Sequence, residues 1–268
     1  MNKRLALWWG LQSPPRVYAL GERIHRLKGR IHRLEERYTF RDKNDPESKW
    51  RCCELWQRSL DYKWNAREFA QKHGCRVPRL YWSGRKTSRL PFDSLPDRYV
   101  IKPNFGFSRK GVYVMARGVD LLTRTAYAEA ELREPVRQFT GGLFGQPILV
   151  EELVTDNRES GLPTEYKCHV FLEKIAAIQV LHRGVDQRDT KHRFYTEQWE
   201  IFDDPISTKF QTDNYSDPPG CLDEMLTMAK RLGRAYGTYV RVDFYASEQG
   251  CVFGEFASSH GRGFTRYA

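Results

Sequence analysis

The sequence lacks any apolar run of the roughly 18 residues that a membrane-spanning helix needs. Its six cysteines include no C-x-x-C pair, so the usual signal of a zinc site or a redox-active dithiol is missing. The P-loop pattern G-x-x-x-x-G-K-[ST] is also missing. The apolar segment at residues 5–9 is too short for a secretory signal peptide and has no cleavage site after it. We therefore expect a cytoplasmic protein with reduced thiols and no transmembrane segment.

Positive charge is in excess, with a net charge of +10 over 268 residues. Residues 1–50 contain 12 Lys/Arg against 6 Asp/Glu, so the excess is concentrated in the first fifth of the chain. Such a charge calls for an anionic partner, whether a nucleotide, a nucleic acid, an acidic glycan or a membrane surface. A nucleic-acid-binding protein is the less favoured class, because no helix-turn-helix, RNP or zinc-finger motif is present.

Apolar residues in the segment 16–38 recur with a seven-residue period. Apolar residues alternate at spacings of three and four, the pattern of a helical seam: Val17, Leu20, Ile24, Leu27, Ile31, Leu34 and Tyr38. This spacing predicts an amphipathic helix within a basic N-terminal extension, residues 1–50. Its apolar stripe packs either on its own domain or on a partner, such as a carrier, an anionic membrane or a second copy of the chain.

The rest of the chain alternates short strands with loops. The pattern predicts a helix at Glu54–His73, a hairpin from 98–102 and 111–115, a strand at 147–153 and a strand pair at 166–172 and 175–182. Residues 184–220 read as loop-rich, and a helix from Leu222 precedes two closing strands at 239–245 and 251–256. The expected fold class is α+β with largely antiparallel sheets.

Three groups of residues carry chemistry. A strand delivers Lys102 into a Gly/Ser/Lys loop that ends at Gly111, where backbone N–H groups can surround a polyphosphate. Arg241 and Asp243 share one strand face, with Glu255 on the next strand, and these carboxylates can hold Mg²⁺ between phosphates. An apolar strand ends in acids at 151–152, with Glu165 downstream. Taken alone, the three groups are also compatible with an ordinary hairpin loop, a surface ion pair and a strand end, respectively.

In this order, the three groups resemble the TupA-like (teichuronopeptide biosynthesis) branch of the ATP-grasp superfamily. The resemblance lies in residues 92–104 (FDSLPDRYVIKPN), 165–171 (EYKCHVF), 240–245 (VRVDFY) and 253–256 (FGEF), and it covers roughly residues 50–265. It implies an ATP-grasp core at 51–268, in which two α+β subdomains hold ATP between antiparallel sheets. Residues of about 75–155 would contain the phosphate loop, and residues 156–268 the metal site.

The resemblance also implies roles for individual residues. Arg241 and Lys102 would be catalytic, and Asp243 and Glu255 would bind Mg²⁺. The ATP-binding residues would be Lys63, Lys102, Asn104, Gly106, Ser108, Gly111, Glu151, Glu152, Leu153, Val154 and Glu165. Among these, Glu151 to Val154 would line the adenine pocket and Glu165 would bind the ribose. Candidate contacts to an acidic substrate are Arg183, Arg188, Arg193, Ser259, Arg262 and Arg266.

The implied function is an ATP-dependent carboxylate–amine ligase that forms an amide through an acyl-phosphate. The implied substrates are a carboxylate and an amine, one of them on an acidic cell-surface glycan or peptide precursor. An ATP-grasp kinase that phosphorylates a sugar or small molecule is the alternative, and an ATP-binding pseudoenzyme is a further one. Many superfamily members carry Glu-x-Asn at the last metal site, whereas this chain has Ala257 at the third position. The number of metal ions therefore stays open.

Overall fold

The computed structural model describes residues 39–106, 109–140, 146–156, 161–184, 187–202 and 210–257. The predicted N-terminal helix at 16–38 lies outside these residues. The compact unit considered below is Arg41–Ala268. No helix of the described part of the chain is long and apolar enough to cross a membrane.

Four α-helices are described. They are α1 (Glu47–Trp50), α2 (Lys63–Lys72), α3 (Glu129–Thr140) and α4 (Leu222–Tyr236). The prediction of one continuous helix at Glu54–His73 is wrong in its first half, where a 3-10 helix, Trp56–Asp61, is followed by Tyr62 in an extended conformation. The break has a tertiary cause, because the N–H of Lys63 donates to the carbonyl of Asn104 at 2.7 Å. The Asn104 side chain also accepts from the Trp64 N–H at 2.8 Å, and so caps α2 from outside the helix.

The first sheet contains β1 (Leu80–Gly84), β2 (Arg98–Pro103), β3 (Tyr113–Ala116), β4 (Val119–Asp120), β5 (Thr125–Ala126) and β6 (Ile148–Glu152). Its order is β1-β6-β2-β3-β4-β5, and all neighbours are antiparallel. Helix α3 covers one face through Leu132 and Val136, which pack with Ile101, Ile148 and Val150. Burial of such a side chain contributes about 1.5–3 kcal/mol, so this cluster fixes α3 on the sheet.

The second sheet contains β7 (Glu165–Phe171), β8 (Lys174–His182), β9 (Lys191–Tyr195), β10 (Gln211–Thr212), β11 (Tyr239–Ser247) and β12 (Gly250–Ala257). Its order is β10-β9-β8-β7-β11-β12, and only β9 and β10 are parallel neighbours. The sequence reading missed β9 and β10 within the stretch 184–220. The α+β class with largely antiparallel sheets is confirmed.

Helices α2 and α4 pack on the apolar face of the second sheet, where Phe69, Met225 and Leu232 are fully buried. Gly233 allows α4 to approach closely, because an added Cβ would lie 2.2 Å from the Leu172 carbonyl oxygen. The helix ends at Gly237, which adopts the left-handed conformation (φ 85°) typical of a helix C-terminus. The helices thus leave the opposite face of this sheet available for polar groups. The first sheet spans residues 80–152 and the second 165–257; the subdomain boundaries themselves stay a prediction.

Candidate active site

One face of the second sheet carries ionisable side chains. Three alternating residues of β11 are fully buried against the helices: Val240, Val242 and Phe244. Alternation along the strand therefore places Arg241, Asp243 and Tyr245 on the opposite face. Strand register puts three residues of β7 directly across from them, in the pairs Tyr245–Glu165, Asp243–Lys167 and Arg241–His169. On the other side of β11, Glu255 lies across from Asp243.

The buried carboxylate of Asp243 is surrounded by cations. Its Oδ1 accepts from Arg241 Nε at 2.6 Å, and its Oδ2 accepts from Arg241 Nη2 at 2.8 Å and from Lys167 Nζ at 2.5 Å. Burial alone would raise the pKa of Asp243, but Arg241 and Lys167 outweigh it and hold the pKa below its ordinary value. Asp243 is therefore ionised at neutral pH.

Glu165 forms the second carboxylate of this face. Its Oε2 accepts from Lys167 Nζ at 2.6 Å and from Arg183 Nη2 at 2.8 Å, and Arg183 Nε contacts Oε1. Burial alone would raise the pKa of Glu165, but Lys167 and Arg183 lower it to about 2. The Lys167 ammonium is thus shared between Glu165 and Asp243.

Arg241 links Asp243 to Glu255. Arg241 Nη2 lies 3.7 Å from Glu255 Oε1, and the Glu255 side chain is 47% exposed. Burial alone would lower the pKa of Arg241, but Asp243 and Glu255 raise it above its ordinary value. The guanidinium is permanently charged and sits between the two predicted metal ligands.

The first sheet contributes a separate buried ion cluster around Glu151. The Glu151 carboxylate, 3% exposed, contacts Lys102 Nζ through Oε2 and accepts from Arg67 Nη1 through Oε1 at 2.6 Å. Arg67 is further fixed by a hydrogen bond from Nη1 to the Pro78 carbonyl at 3.2 Å. One carboxylate therefore positions two cations, one from β2 and one from α2.

Lys63, at the start of α2, lies between the two sheets. Its Nζ donates to the Gly106 carbonyl at 3.1 Å. Burial lowers the pKa of Lys63, while Glu255 opposes this change and Lys102 adds to it. Lys63 is therefore within electrostatic reach of both a first-sheet lysine and a second-sheet carboxylate.

The loop after β2 also reaches the second sheet. It is held at its start by Gln146, which accepts from the Phe105 N–H at 2.5 Å and donates to the Phe105 carbonyl at 2.8 Å. Further along, Arg109 and Gly111 adopt left-handed conformations, with φ of 59° and 73°. Burial lowers the pKa of Arg109 and Arg183 lowers it further, while Glu165 opposes them. Arg109 Nη2 is buried and forms no hydrogen bond with the described residues.

The described charges form one connected set between the sheets. Its seven cations are Lys63, Arg67, Lys102, Arg109, Lys167, Arg183 and Arg241, and its six carboxylates are Asp61, Glu68, Glu151, Glu165, Asp243 and Glu255. A buried excess of positive charge is costly unless an anion offsets it. The arrangement is suited to binding a polyanion.

Other predicted site residues are placed less centrally. Glu152 pairs with Arg79 through backbone and side chain, and its neighbours Leu153 and Val154 are buried at the end of β6. Arg193 lies on the opposite face of the second sheet, across from Val180, and donates to the Asp213 carbonyl at 2.6 Å. Arg188 is exposed. Four predicted residues lie outside the described part of the chain: Ser108, Ser259, Arg262 and Arg266.

A polar cavity of about 310 Å³ adjoins Arg183. Within it, His182 Nδ1 lies 2.5 Å from Asp213 Oδ2. The remaining lining residues are Gly184, Asp189, Lys191 and Ser216. Arg183 thus belongs both to the charged face, through Glu165, and to this cavity.

The sequence model of the TupA-like ATP-grasp family matches residues 48–268. The chain belongs to the TupA-like ATP-grasp family. Seven of the residues assigned by resemblance fall within one connected site: Lys63, Lys102, Glu151, Glu165, Arg241, Asp243 and Glu255. No curated protein sequence gives a significant match.

Several solved structures are distantly similar. D-alanine–D-alanine ligase from Bacillus anthracis complexed with ATP shares 17% identity at a TM-score of 0.46, over 74% of this chain and 55% of that one. The ATP-grasp ligase PsnB complexed with a phosphomimetic variant of minimal precursor, Mg and ADP shares 15% identity at a TM-score of 0.47, over 78% of this chain and 53% of that one. VanG D-Ala:D-Ser ligase from Enterococcus faecalis shares 16% identity at a TM-score of 0.48, over 78% of this chain and 55% of that one. This chain therefore spans about half the length of these proteins.

Magnesium is the metal implied for this ATP-grasp chain. The described residues contain no group of three or more His, Cys, Asp or Glu side chains that could hold a metal ion by themselves. Asp243 and Glu255 nevertheless lie across from each other on adjacent strands. Mg²⁺ commonly takes one or two carboxylates and completes its shell with water and substrate phosphate oxygens. The two carboxylates therefore fit a Mg²⁺ ion held jointly with a nucleotide.

Three charged residues of this ATP-grasp site were missed by the sequence reading. Lys167 lies two residues after Glu165 on a strand, so alternation alone would have placed both on one face. Arg67 follows Lys63 by four residues on α2, a spacing that puts both on one side of a helix. Arg109 had no comparable signal, because its position depends on the left-handed turn of the loop.

Proposed function

We propose that this chain is an ADP-forming carboxylate–amine ligase that works through an acyl-phosphate. The observation that carries the proposal is the set of seven cations that helix α2, the loop after β2 and the two sheets bring together. These cations complement the phosphates of ATP and a substrate carboxylate. Membership of the ATP-grasp family supports the same reaction class.

In the proposed complex, the phosphates contact Lys63 of α2 and Lys102 of β2 on one side. On the other side they contact Lys167 of β7 and Arg241 of β11. The strand end at 151–154 would contact the adenine, and Glu165 would accept a ribose hydroxyl. The two lysines bind as point charges, while the Arg241 guanidinium can donate to two phosphate oxygens at once. The phosphates would thus bring together cations that the chain already holds in place.

The first chemical step would join a substrate carboxylate oxygen to the γ-phosphorus, while the bond from phosphorus to the ADP oxygen breaks. Arg241 and Lys102 would stabilise the charge that develops on the transferring phosphoryl group, as phosphoryl transfer requires. Mg²⁺, when bound by Asp243 and Glu255, supplies Lewis-acid neutralisation of the phosphate oxygens. The products of this step are ADP and an acyl-phosphate.

In the second step, an amine nitrogen attacks the acyl carbon and the bond from that carbon to the phosphate oxygen breaks. The amine loses a proton to solvent or to the departing phosphate, and the products are an amide and inorganic phosphate. Arg241 would again offset charge on the leaving phosphate. We further propose that the carboxylate or the amine belongs to an acidic cell-surface glycan or peptide precursor. A cytoplasmic location stays a prediction.

The test uses the full chain with MgATP and pools of carboxylates and amines, followed by mass spectrometry for an amide and quantification of ADP and AMP. ADP should be the product, and hydroxylamine should trap a hydroxamate when the correct carboxylate is present. Asp243→Asn is the inactive control. AMP as the main product would contradict the proposal. ADP with a phosphorylated product and no hydroxamate would instead establish the kinase alternative.

A further inference from the structure

The two oxygens of Asp243 already accept hydrogen bonds from two cationic side chains of this chain. Three nitrogens, two of Arg241 and one of Lys167, lie 2.5 to 2.8 Å from the two carboxylate oxygens. The carboxylate is buried, with 4% of the side chain exposed. Little of its surface is therefore open to an approaching ion.

A divalent ion approaching Asp243 meets two obstacles. Mg²⁺ must come within about 2.0–2.1 Å of a ligand oxygen, and the nitrogens of Lys167 and Arg241 occupy three of the roughly four acceptor positions of the carboxylate. It must also approach two fixed positive charges in a region of low dielectric, where like charges repel strongly. Glu255, the more exposed ligand, is a single carboxylate and cannot replace the missing contacts.

Phosphate oxygens remove both obstacles, because each cation can contact another carboxylate or the phosphate after it leaves Asp243. Lys167 remains bound to Glu165 at 2.6 Å when it leaves Asp243. Arg241 is already 3.7 Å from Glu255 and can turn toward an anion above the sheet. Phosphate oxygens would therefore accept hydrogen bonds from these nitrogens in place of Asp243. A carboxylate oxygen of Asp243 would then be open to the metal.

We propose that Lys167 and Arg241 keep free divalent cations off Asp243, so that the metal ion binds only together with, or after, the nucleotide. The inference rests on the proposed function, since it takes the nucleotide to be the anion that displaces the two cations. It assigns Lys167 a role in metal binding in addition to its proposed contact with phosphate. It also predicts an order of binding that can be measured without turnover.

The first measurement uses the wild-type full chain with Mn²⁺ as a spectroscopic probe, detected by electron paramagnetic resonance. Mn²⁺ alone should bind at least about tenfold more weakly than Mn²⁺ added with ADP, after correction for Mn–ADP formed without protein. ADP should still bind in EDTA, because Lys63 and Lys102 need no metal to contact phosphate. Wild-type chain that binds Mn²⁺ equally well with and without ADP would overturn the inference.

The second measurement compares Lys167→Met with Arg183→Met, which removes a cation bonded to Glu165 rather than one bonded to Asp243. Lys167→Met should bind Mn²⁺ without nucleotide about tenfold more tightly than wild type, and Arg183→Met should gain much less. Lys174→Met, on an exposed part of β8, is the neutral control. Equal gains in the two site variants would indicate general electrostatics and contradict direct occupancy of Asp243.

Folding of the variants is checked by thermal melting with and without Mn²⁺, and the wild-type measurement decides if Lys167→Met does not fold. The outcome for the ligase proposal is separate. Absence of ADP or ATP binding under any condition would contradict the proposed function. Normal nucleotide binding combined with metal binding in its absence would contradict only the order of binding.

Discussion

Glu165 offers a direct test of the ion network, because its two cationic partners act on a single buried carboxylate. Lys167 and Arg183 hold the pKa of Glu165 at about 2, against an ordinary value of 4.5. The lower pKa of the folded state means that ionised Glu165 stabilises the fold at pH above 4.5. This stabilisation is lost as the pH falls toward 2.

The size of the effect follows from the two pKa values. Each tenfold change in an ionisation constant is worth about 1.4 kcal/mol, so Glu165 contributes about 3 kcal/mol at pH 6. At pH 3 the same relation leaves about 1.5 kcal/mol. Glu165→Gln mimics the protonated side chain in shape and charge. The variant should therefore be less stable than wild type by about these amounts at the two pH values.

The assay is urea unfolding of both proteins at pH 6, 4 and 3, with the difference in unfolding free energy as the readout. Titration of other groups is common to both proteins and largely cancels in this difference. Glu134→Gln is the matched control, since Glu134 forms an exposed pair with Arg137 on α3, and it should change stability little at any pH. A gap that is the same at pH 6 and pH 3 would refute the assigned pKa and its cause.

Further predictions concern the proposed phosphate-binding residues, with Lys49→Ala, an exposed lysine of α1 outside the site, as the common control. Lys63→Ala and Lys102→Ala should each weaken ATP binding, measured by calorimetry, by about 10- to 100-fold, with the larger loss for Lys63. Unchanged ATP affinity in both variants would contradict the assignment of these lysines to ATP binding. Asp243→Asn should abolish amide formation while ADP still binds in EDTA; full turnover would remove the metal assignment. Arg109→Gly should relieve the left-handed backbone, worth about 1–2 kcal/mol, and raise the melting temperature while weakening ATP binding. Tighter or equal ATP binding in that variant would show that the guanidinium does not contact the nucleotide.

Local patterns predicted the elements that carry most of the site. The hairpin of β2 and β3, the pair β7 and β8, the helix α4 and the closing pair β11 and β12 all follow from alternation and helical spacing in short windows. Alternation also predicted that Arg241 and Asp243 share one face of β11. These features depend on neighbours within a few residues, which is why the sequence alone was sufficient.

Features set by distant contacts were not predicted. The helix expected at Glu54–His73 is interrupted because Asn104, about 40 residues away, binds the backbone of Lys63 and Trp64. The strand β10 pairs in parallel with β9 through a connection of more than a dozen residues, and its two residues carry no alternation to detect. Arg67 and Glu151 are 84 residues apart in sequence. Tertiary partners decide all three cases, and no local spacing reports them.

The placement of counter-ions explains why the two lysines proposed to bind phosphate should differ in importance. Lys102 already pairs with the buried Glu151, so a phosphate group must compete with that carboxylate for the ammonium. Lys63 pairs with no carboxylate of the described chain, and its ammonium donates to the Gly106 carbonyl instead. Burial that lowers the pKa of Lys63 shows that its charge is poorly compensated in the protein alone. An incoming phosphate therefore gains more from Lys63 than from Lys102, although both residues appear equivalent in the sequence.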